Sequence, residues 1–126
     1  MRLVDTSAWI KWLTGSDVGL GLETALPVSS EWLVPTVVQL ELARWLTRES
    51  GEDKADQVIA FTATCVVANL DTTIALSAAE LGARHKLAMG DAVIYATAQL
   101  YDADLLTCDR QFEGLPRVRY ILKSGG

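Results

Sequence analysis

The chain has 126 residues, half of them hydrophobic and 21% charged, which suits one domain with a packed core and excludes a disordered chain. A net charge of −5 argues against a broad basic face for nucleic acid, because backbone affinity comes mainly from Lys and Arg. Two cysteines, Cys65 and Cys108, are too few for a disulfide scaffold, no apolar run nears the ~20 residues of a membrane span, and the charges at Arg2 and Asp5 come too early for a secretory leader, so a cytoplasmic protein without membrane contact is expected.

Arg2-Leu3-Val4 is a short apolar segment and predicts a central strand. Asp5-Thr6-Ser7 opens a helix to about Leu13, since Asp, Thr and Ser accept the free N–H groups of a first helical turn. Gly15 to Gly21 breaks the pattern and reads as a loop or short turn. Trp32-Leu33-Val34 predicts a second strand, stopped by Pro35. A helix follows from about Thr36 to Ser50, with Gly51 as its stop and an apolar stripe at Val38, Leu42 and Trp45. The next helix spans roughly Glu52 to Ala63, and Cys65-Val66-Val67-Ala68 is a third strand. Asp71-Thr72-Thr73 caps a helix reaching about Lys86. Gly90-Asp91 begins another, running to Tyr101 with Ile94, Tyr95 and Ala98 inward. Leu105-Leu106-Thr107-Cys108 and Val118-Arg119-Tyr120-Ile121-Leu122 are the last strands, before a polar tail at Lys123-Ser124-Gly125-Gly126. Strands alternating with helices imply a parallel sheet of about five strands covered on both faces, hence one α/β domain over residues 1–126.

Four acids stand where a solvated surface is not expected. Asp5 and Asp109 follow apolar strands, Glu41 lies in the apolar stripe of its helix, and Asp91 opens the apolar face of another. Each has a bland reading as well: Asp5 and Asp91 suit helix caps, and Asp109 suits a turn. Glu41 is the hardest to explain that way, because an ordinary surface helix keeps a carboxylate off its buried stripe. In open α/β sheets, ligands sit at the carboxyl ends of strands near a switch in strand order, and all four acids can reach that edge. Like charges ~4 Å apart repel by about 4 kcal/mol at an effective dielectric near 20, so a cluster needs raised pKa values or a cation. Carboxylates favour Mg²⁺ or Mn²⁺, and His85 as the single histidine leaves no His/Cys set for zinc. The chemistry suited to such a site is phosphodiester hydrolysis, with Ser7, Thr107 and Arg110 as accessory contacts to a phosphate or a bound water. No P-loop or GxGxxG is present.

The remaining candidates carry double readings. Arg44 with Arg48, and Arg84-His85-Lys86, form either a basic rim or plain solvated surface. His85 suits an exposed helix C-terminus. Trp9 and Trp45 suit the core and Trp12 an interface, although all three are able to stack on bases. Phe112 reads as a core anchor, and Asp71 as a cap only.

Leu3-Val4-Asp5-Thr6-Ser7, Glu41, Gly90-Asp91-Ala92-Val93-Ile94-Tyr95-Ala96-Thr97-Ala98 and Leu106-Thr107-Cys108-Asp109-Arg110-Gln111-Phe112 resemble, in order, the motifs of PIN domains. Size and near-complete coverage resemble the VapC-type toxins of bacterial toxin–antitoxin pairs. The resemblance implies a Mg²⁺-dependent endoribonuclease acting on RNA with Mn²⁺ as a possible substitute. It also implies a homodimer silenced in a hetero-oligomer by a VapB-type antitoxin, with Asp5, Glu41, Asp91 and Asp109 as the catalytic and metal-holding quartet. Two departures stand out: Met89-Gly90 replaces an apolar-small lead into the third motif, and Gln111 stands where a second acid is common. A PIN-fold nuclease for DNA or RNA processing without an antitoxin shares the same quartet. From another class, a receiver-like or non-catalytic binding module also places aspartates at strand ends. A receiver, however, needs a phosphoacceptor where Ala68-Asn69 stand and a lysine between Lys86 and Lys123.

Overall fold

In the computed structural model, which describes residues 1–15 and 21–121, the chain alternates strand and helix. The expected loop across 16–20 and the tail at 122–126 lie outside the described residues. The elements are β1 (Arg2–Val4), α1 (Thr6–Leu13), β2 (Trp32–Pro35), α2 (Thr36–Ser50), α3 (Glu52–Thr62), β3 (Val66–Ala68), α4 (Thr72–His85), α5 (Met89–Leu100), β4 (Asp104–Thr107) and β5 (Val118–Tyr120). The strands form one sheet in the order β3-β2-β1-β4-β5, with every neighbouring pair parallel. The first three strands step outward in one direction from β1, and the fourth returns to its other side. The order therefore reverses between β1 and β4.

Boundaries moved where tertiary contacts outweigh local pattern. β4 begins at Asp104, before its apolar run, because both carboxylate oxygens accept from the Arg2 guanidinium at 2.9 Å. This pair locks the amino ends of β1 and β4, and Arg2 holds the Asp104 carboxyl below its ordinary range. Pro35 ends β2 and also precedes the first turn of α2. It has no N–H to donate, so a strand terminus suits it. Gly51, at φ 91°, turns the chain between α2 and α3. Asp71 caps α4 as expected, its Oδ1 accepting from the Ile74 N–H at 2.9 Å.

The core takes its largest fully buried side chains from the sheet and the helices against it, among them Trp9, Leu33, Leu42, Tyr95, Leu105 and Phe112. The buried stripe of α2 is Val38, Leu42 and Leu46, not the expected Val38, Leu42 and Trp45. Trp45 is only partly buried, and Glu41 lies beside the stripe. Helix α5 is buried on two sides. Ile94, Tyr95 and Ala98 join the main core, while Ala92, Val93 and Ala96 pack with Ile74 and Ala78 of α4. A Cβ added to Gly82 of α4 would lie 3.1 Å from that of Ala92, so the missing side chain permits this close approach. Trp9, Trp12, Trp32 and Phe61 form an aromatic cluster, with the Trp9 and Trp32 ring centroids 4.7 Å apart. His85 is half-buried rather than exposed, its ring edge-on to Tyr95 at 5.7 Å. Cys65 and Cys108 form no disulfide, and no helix among the described residues is long and apolar enough to cross a membrane.

Candidate active site

The reversal of strand order sets the site. Val4 pairs with Leu106, and the Asp5 N–H extends the ladder by donating to the Leu106 carbonyl at 2.9 Å. Asp5 thus leaves β1 opposite the end of β4. Its backbone carbonyl accepts from the Ala8 and Trp9 N–H groups at the start of α1, yet its side chain makes no capping bond. That carboxylate, 3% exposed, turns toward β4 instead. The Ser7 hydroxyl donates to Asp5 Oδ2 at 2.6 Å and the Thr107 hydroxyl at 2.8 Å. Those hydroxyls accept in turn: Ser7 Oγ from the Cys108 N–H at 3.0 Å, and Thr107 Oγ1 from the Asp109 N–H at 2.9 Å. Asp5 is therefore fixed by a network that crosses two strands. Ser7 and Thr107, expected to face a phosphate or water, are engaged with Asp5 here.

The other three acids reach the same edge from separate elements. Glu41, in the second turn of α2, accepts the Thr6 hydroxyl at Oε1 over 2.6 Å. Its Oε2 lies 3.5 Å from where a Gly90 Cβ would stand, which brings the start of α5 beside it. Asp91 is in the first turn of α5, and Ala88 holds the cap position, so the capping reading does not apply to Asp91. Asp109 does serve its turn, because its Oδ1 accepts from the Gln111 N–H at 3.0 Å. Arg110 beside it is exposed, with no ion-pair partner among the described residues.

Electrostatics records how near these groups are to each other. Burial pushes the Asp5 carboxyl up, the Ser7 and Thr107 hydrogen bonds oppose this, and the charges of Asp109 and Glu41 push it further. Asp91 rises from 3.8 to about 6, first through burial and then through the charges of Asp5, Asp109 and Glu41. Asp5 and Asp91 therefore each lie within reach of the charges of Asp109 and Glu41. No cation of the chain is among the causes of either shift.

The donor set is carboxylate and hydroxyl oxygen, which fits a hard divalent ion. Among the described residues, no group of three or more His, Cys, Asp or Glu side chains is arranged to hold a metal unaided. An ion that keeps several of its waters, as Mg²⁺ does, matches that looser arrangement better than zinc. Reading the sequence alone missed Thr6 as the anchor of Glu41. The two are 35 positions apart, and the only local signal was a hydroxyl residue directly after Asp5. A hollow of about 590 Å³ lies away from the carboxylates, between α4 and α5, lined by Leu70, Ala79, Leu87, Met89 and Val93 among others.

The sequence matches the PIN domain family over residues 2–118. No curated protein matches it. Among solved structures, the chain is similar to one in a toxin–antitoxin complex from Klebsiella pneumoniae, at 24% identity and a TM-score of 0.83, covering 98% of this chain and 99% of that one. It is also similar to VapC20 from Mycobacterium tuberculosis, described as a sarcin–ricin loop cleaving toxin (20% identity, TM-score 0.77, 97% and 100% covered). A third is a chain of DNA-bound VapBC from Salmonella typhimurium (16% identity, TM-score 0.71, 94% and 95% covered). At these identities the likeness speaks for the fold.

Proposed function

The chain belongs to the PIN domain family, and on that premise we propose that it is the toxin of a VapBC-like pair, a Mg²⁺-dependent endoribonuclease that hydrolyses RNA phosphodiester bonds. The observation that carries this reading is the meeting of Asp5, Glu41, Asp91 and Asp109 near the β1–β4 switch point, where the charges of Asp109 and Glu41 add to burial in disfavouring ionisation of both Asp5 and Asp91. Such a pocket is costly unless a cation offsets it.

Asp5, Asp91, Asp109 and Glu41 would hold Mg²⁺, or Mn²⁺ in its place. A divalent ion bound there supplies a lowered pKa for water and neutralises charge building on the scissile phosphate. The chain's own residues do the positioning. Ser7 and Thr107 lock the Asp5 carboxylate, so its orientation needs no rearrangement when substrate arrives. Thr6 does the same for Glu41. Asp91 is raised to about 6 by burial and by the charges of its acidic neighbours, and a divalent ion that offsets those charges would bring it down and meet it as a carboxylate. Arg110, exposed beside Asp109, is suited to meet the RNA backbone.

A VapB-type antitoxin that covers this edge, in a hetero-oligomer, belongs to the same reading, and is supported by the toxin–antitoxin complexes among the similar folds. A homodimer belongs to it as well. The apolar α4–α5 hollow supports that, with Met89 86% exposed and Leu70 51% exposed. The test is cleavage of RNA and of DNA by the purified chain with Mg²⁺, with Mn²⁺ and with chelator, beside Asp5→Asn, together with growth on expression. The expected result is metal-dependent RNA cleavage lost in Asp5→Asn, and growth arrest by the wild type. Cleavage of DNA alone with normal growth would favour a nuclease without an antitoxin, and no cleavage of either polymer overturns the enzyme.

A further inference from the structure

A second hollow opens directly from the carboxylate edge. It is a groove of about 280 Å³ between α1 and α2, lined by Thr6, Ile10, Glu41, Arg44, Trp45 and Arg48, among others. Its size is close to the lower end of small-ligand pockets, roughly 300 Å³. Thr6 and Glu41 both line it, joined by their 2.6 Å hydrogen bond, so groove and acidic site share a wall. At a rise of about 1.5 Å per residue, Arg44 lies roughly one turn of α2 beyond Glu41 and Arg48 about another turn further.

Two arginines one helical turn apart, Arg44 and Arg48, give this groove its charge. The chain carries a net charge of −5, and three of its seven arginines are paired within the chain: Arg2 on Asp104, Arg84 on Glu80 and Arg117 on Asp102. Arg44 is exposed and has no ion-pair partner among the described residues. Arg48 is held only by its exposed neighbour Glu49, a pairing of the kind that exchanges readily for a better anion. Trp45, partly buried against the core, presents an aromatic wall beside these guanidiniums. A cation one turn from the acids, next to an aromatic ring, suits a nucleotide: phosphate on the guanidinium, base on the ring.

We infer that the α1–α2 groove is the subsite for the nucleotide next to the scissile phosphate of a single-stranded RNA, with Arg44 on its backbone phosphate and Trp45 against its base. The inference rests on the ribonuclease reading and deepens it. Every base has a π face, so stacking here tolerates any sequence. The subsite sets affinity and strand direction, not which base is chosen.

The test uses the full chain and a fluorescein-labelled single-stranded RNA 12-mer. Binding is followed by anisotropy in an Asp5→Asn background across salt concentrations, and cleavage is followed in the wild-type background. Arg44→Ala is expected to weaken binding by roughly 5- to 20-fold and to lower the slope of log K against log salt by about 0.7, the value for one single-strand phosphate. The same change should raise KM and leave kcat within about 3-fold. Arg44→Lys should restore the slope. Trp45→Leu should weaken binding by about 5-fold with the slope unchanged; should that variant fail to fold, the exposed Arg44 series decides alone. If the wild type cleaves RNA while Arg44→Ala keeps its affinity and salt slope, the groove belongs to a protein partner, and the subsite is wrong although the nuclease stands. If the wild type cleaves no RNA, both readings fall.

Discussion

Asp91→Asn gives the sharpest physical test of the acidic cluster. Asp91 is half-buried, and its pKa rises from 3.8 to about 6. A shift of about 2 units corresponds to roughly 3 kcal/mol at 1.36 kcal/mol per unit, and solvent screening of a half-exposed group reduces this to about 1–1.5 kcal/mol. The sign follows from linkage. The folded state holds the Asp91 proton more tightly than the unfolded chain does. Its favourable contribution is therefore complete below pH 3.8 and is lost as pH rises through 6. Above that, the folded protein bears an ionised group that burial and three neighbouring carboxylates disfavour. Asn cannot ionise, so at pH 8 with chelator the variant should be more stable than wild type by about 1–1.5 kcal/mol, or about 3–6 °C in Tm. At pH 4 the gain should shrink to a few tenths of a kcal/mol. Urea unfolding at both pH values measures it, with equal m-values confirming the same folded state. Adding Mg²⁺ should narrow the pH 8 gap, since a bound cation stabilises the wild type preferentially. A gap that is independent of pH, or a variant less stable at pH 8, would show that these acids do not oppose one another.

Two further predictions concern the residues that hold the acids and the helices in place. Removing either hydroxyl from Asp5, by Ser7→Ala or Thr107→Val, should lower metal-dependent cleavage by about 10- to 100-fold while circular dichroism stays unchanged; full activity in both would show that the Asp5 orientation needs no such support. Gly82→Val forces a branched side chain against the Ala92 Cβ, 3.1 Å from even a first carbon, and should cost about 1–3 kcal/mol in urea unfolding, a cost absent if α4 can move aside freely.

Much of the architecture was legible because it rests on local chemistry. Apolar runs followed by Asp5-Thr6-Ser7 or preceding Asp109 mark strand exits, and Asp71 announced a cap that its bond to the Ile74 N–H fulfils. The inward set Ile94, Tyr95 and Ala98 followed from helical periodicity, and all three are buried. What periodicity did not reveal was that α5 is buried on a second side, since small residues such as Ala92 and Ala96 carry little hydrophobic contrast until α4 packs onto them. The position of Trp45 was misread because its turn of helix offers two apolar candidates, and Leu46 took the core. The acids were visible as anomalies, but their supports were not. The partnership of Thr6 with Glu41, and of Thr107 with Asp5, exists only once distant strands and helices meet.

The central pairing of β1 with β4 has a consequence for synthesis. Asp5 leaves the ribosome early, but one of the two hydroxyls that fix it belongs to Thr107, 102 positions later. The sheet cannot close around its own middle strand until nearly the whole chain has emerged. Whatever chemistry the carboxylates perform, an unfinished chain has no assembled centre with which to perform it.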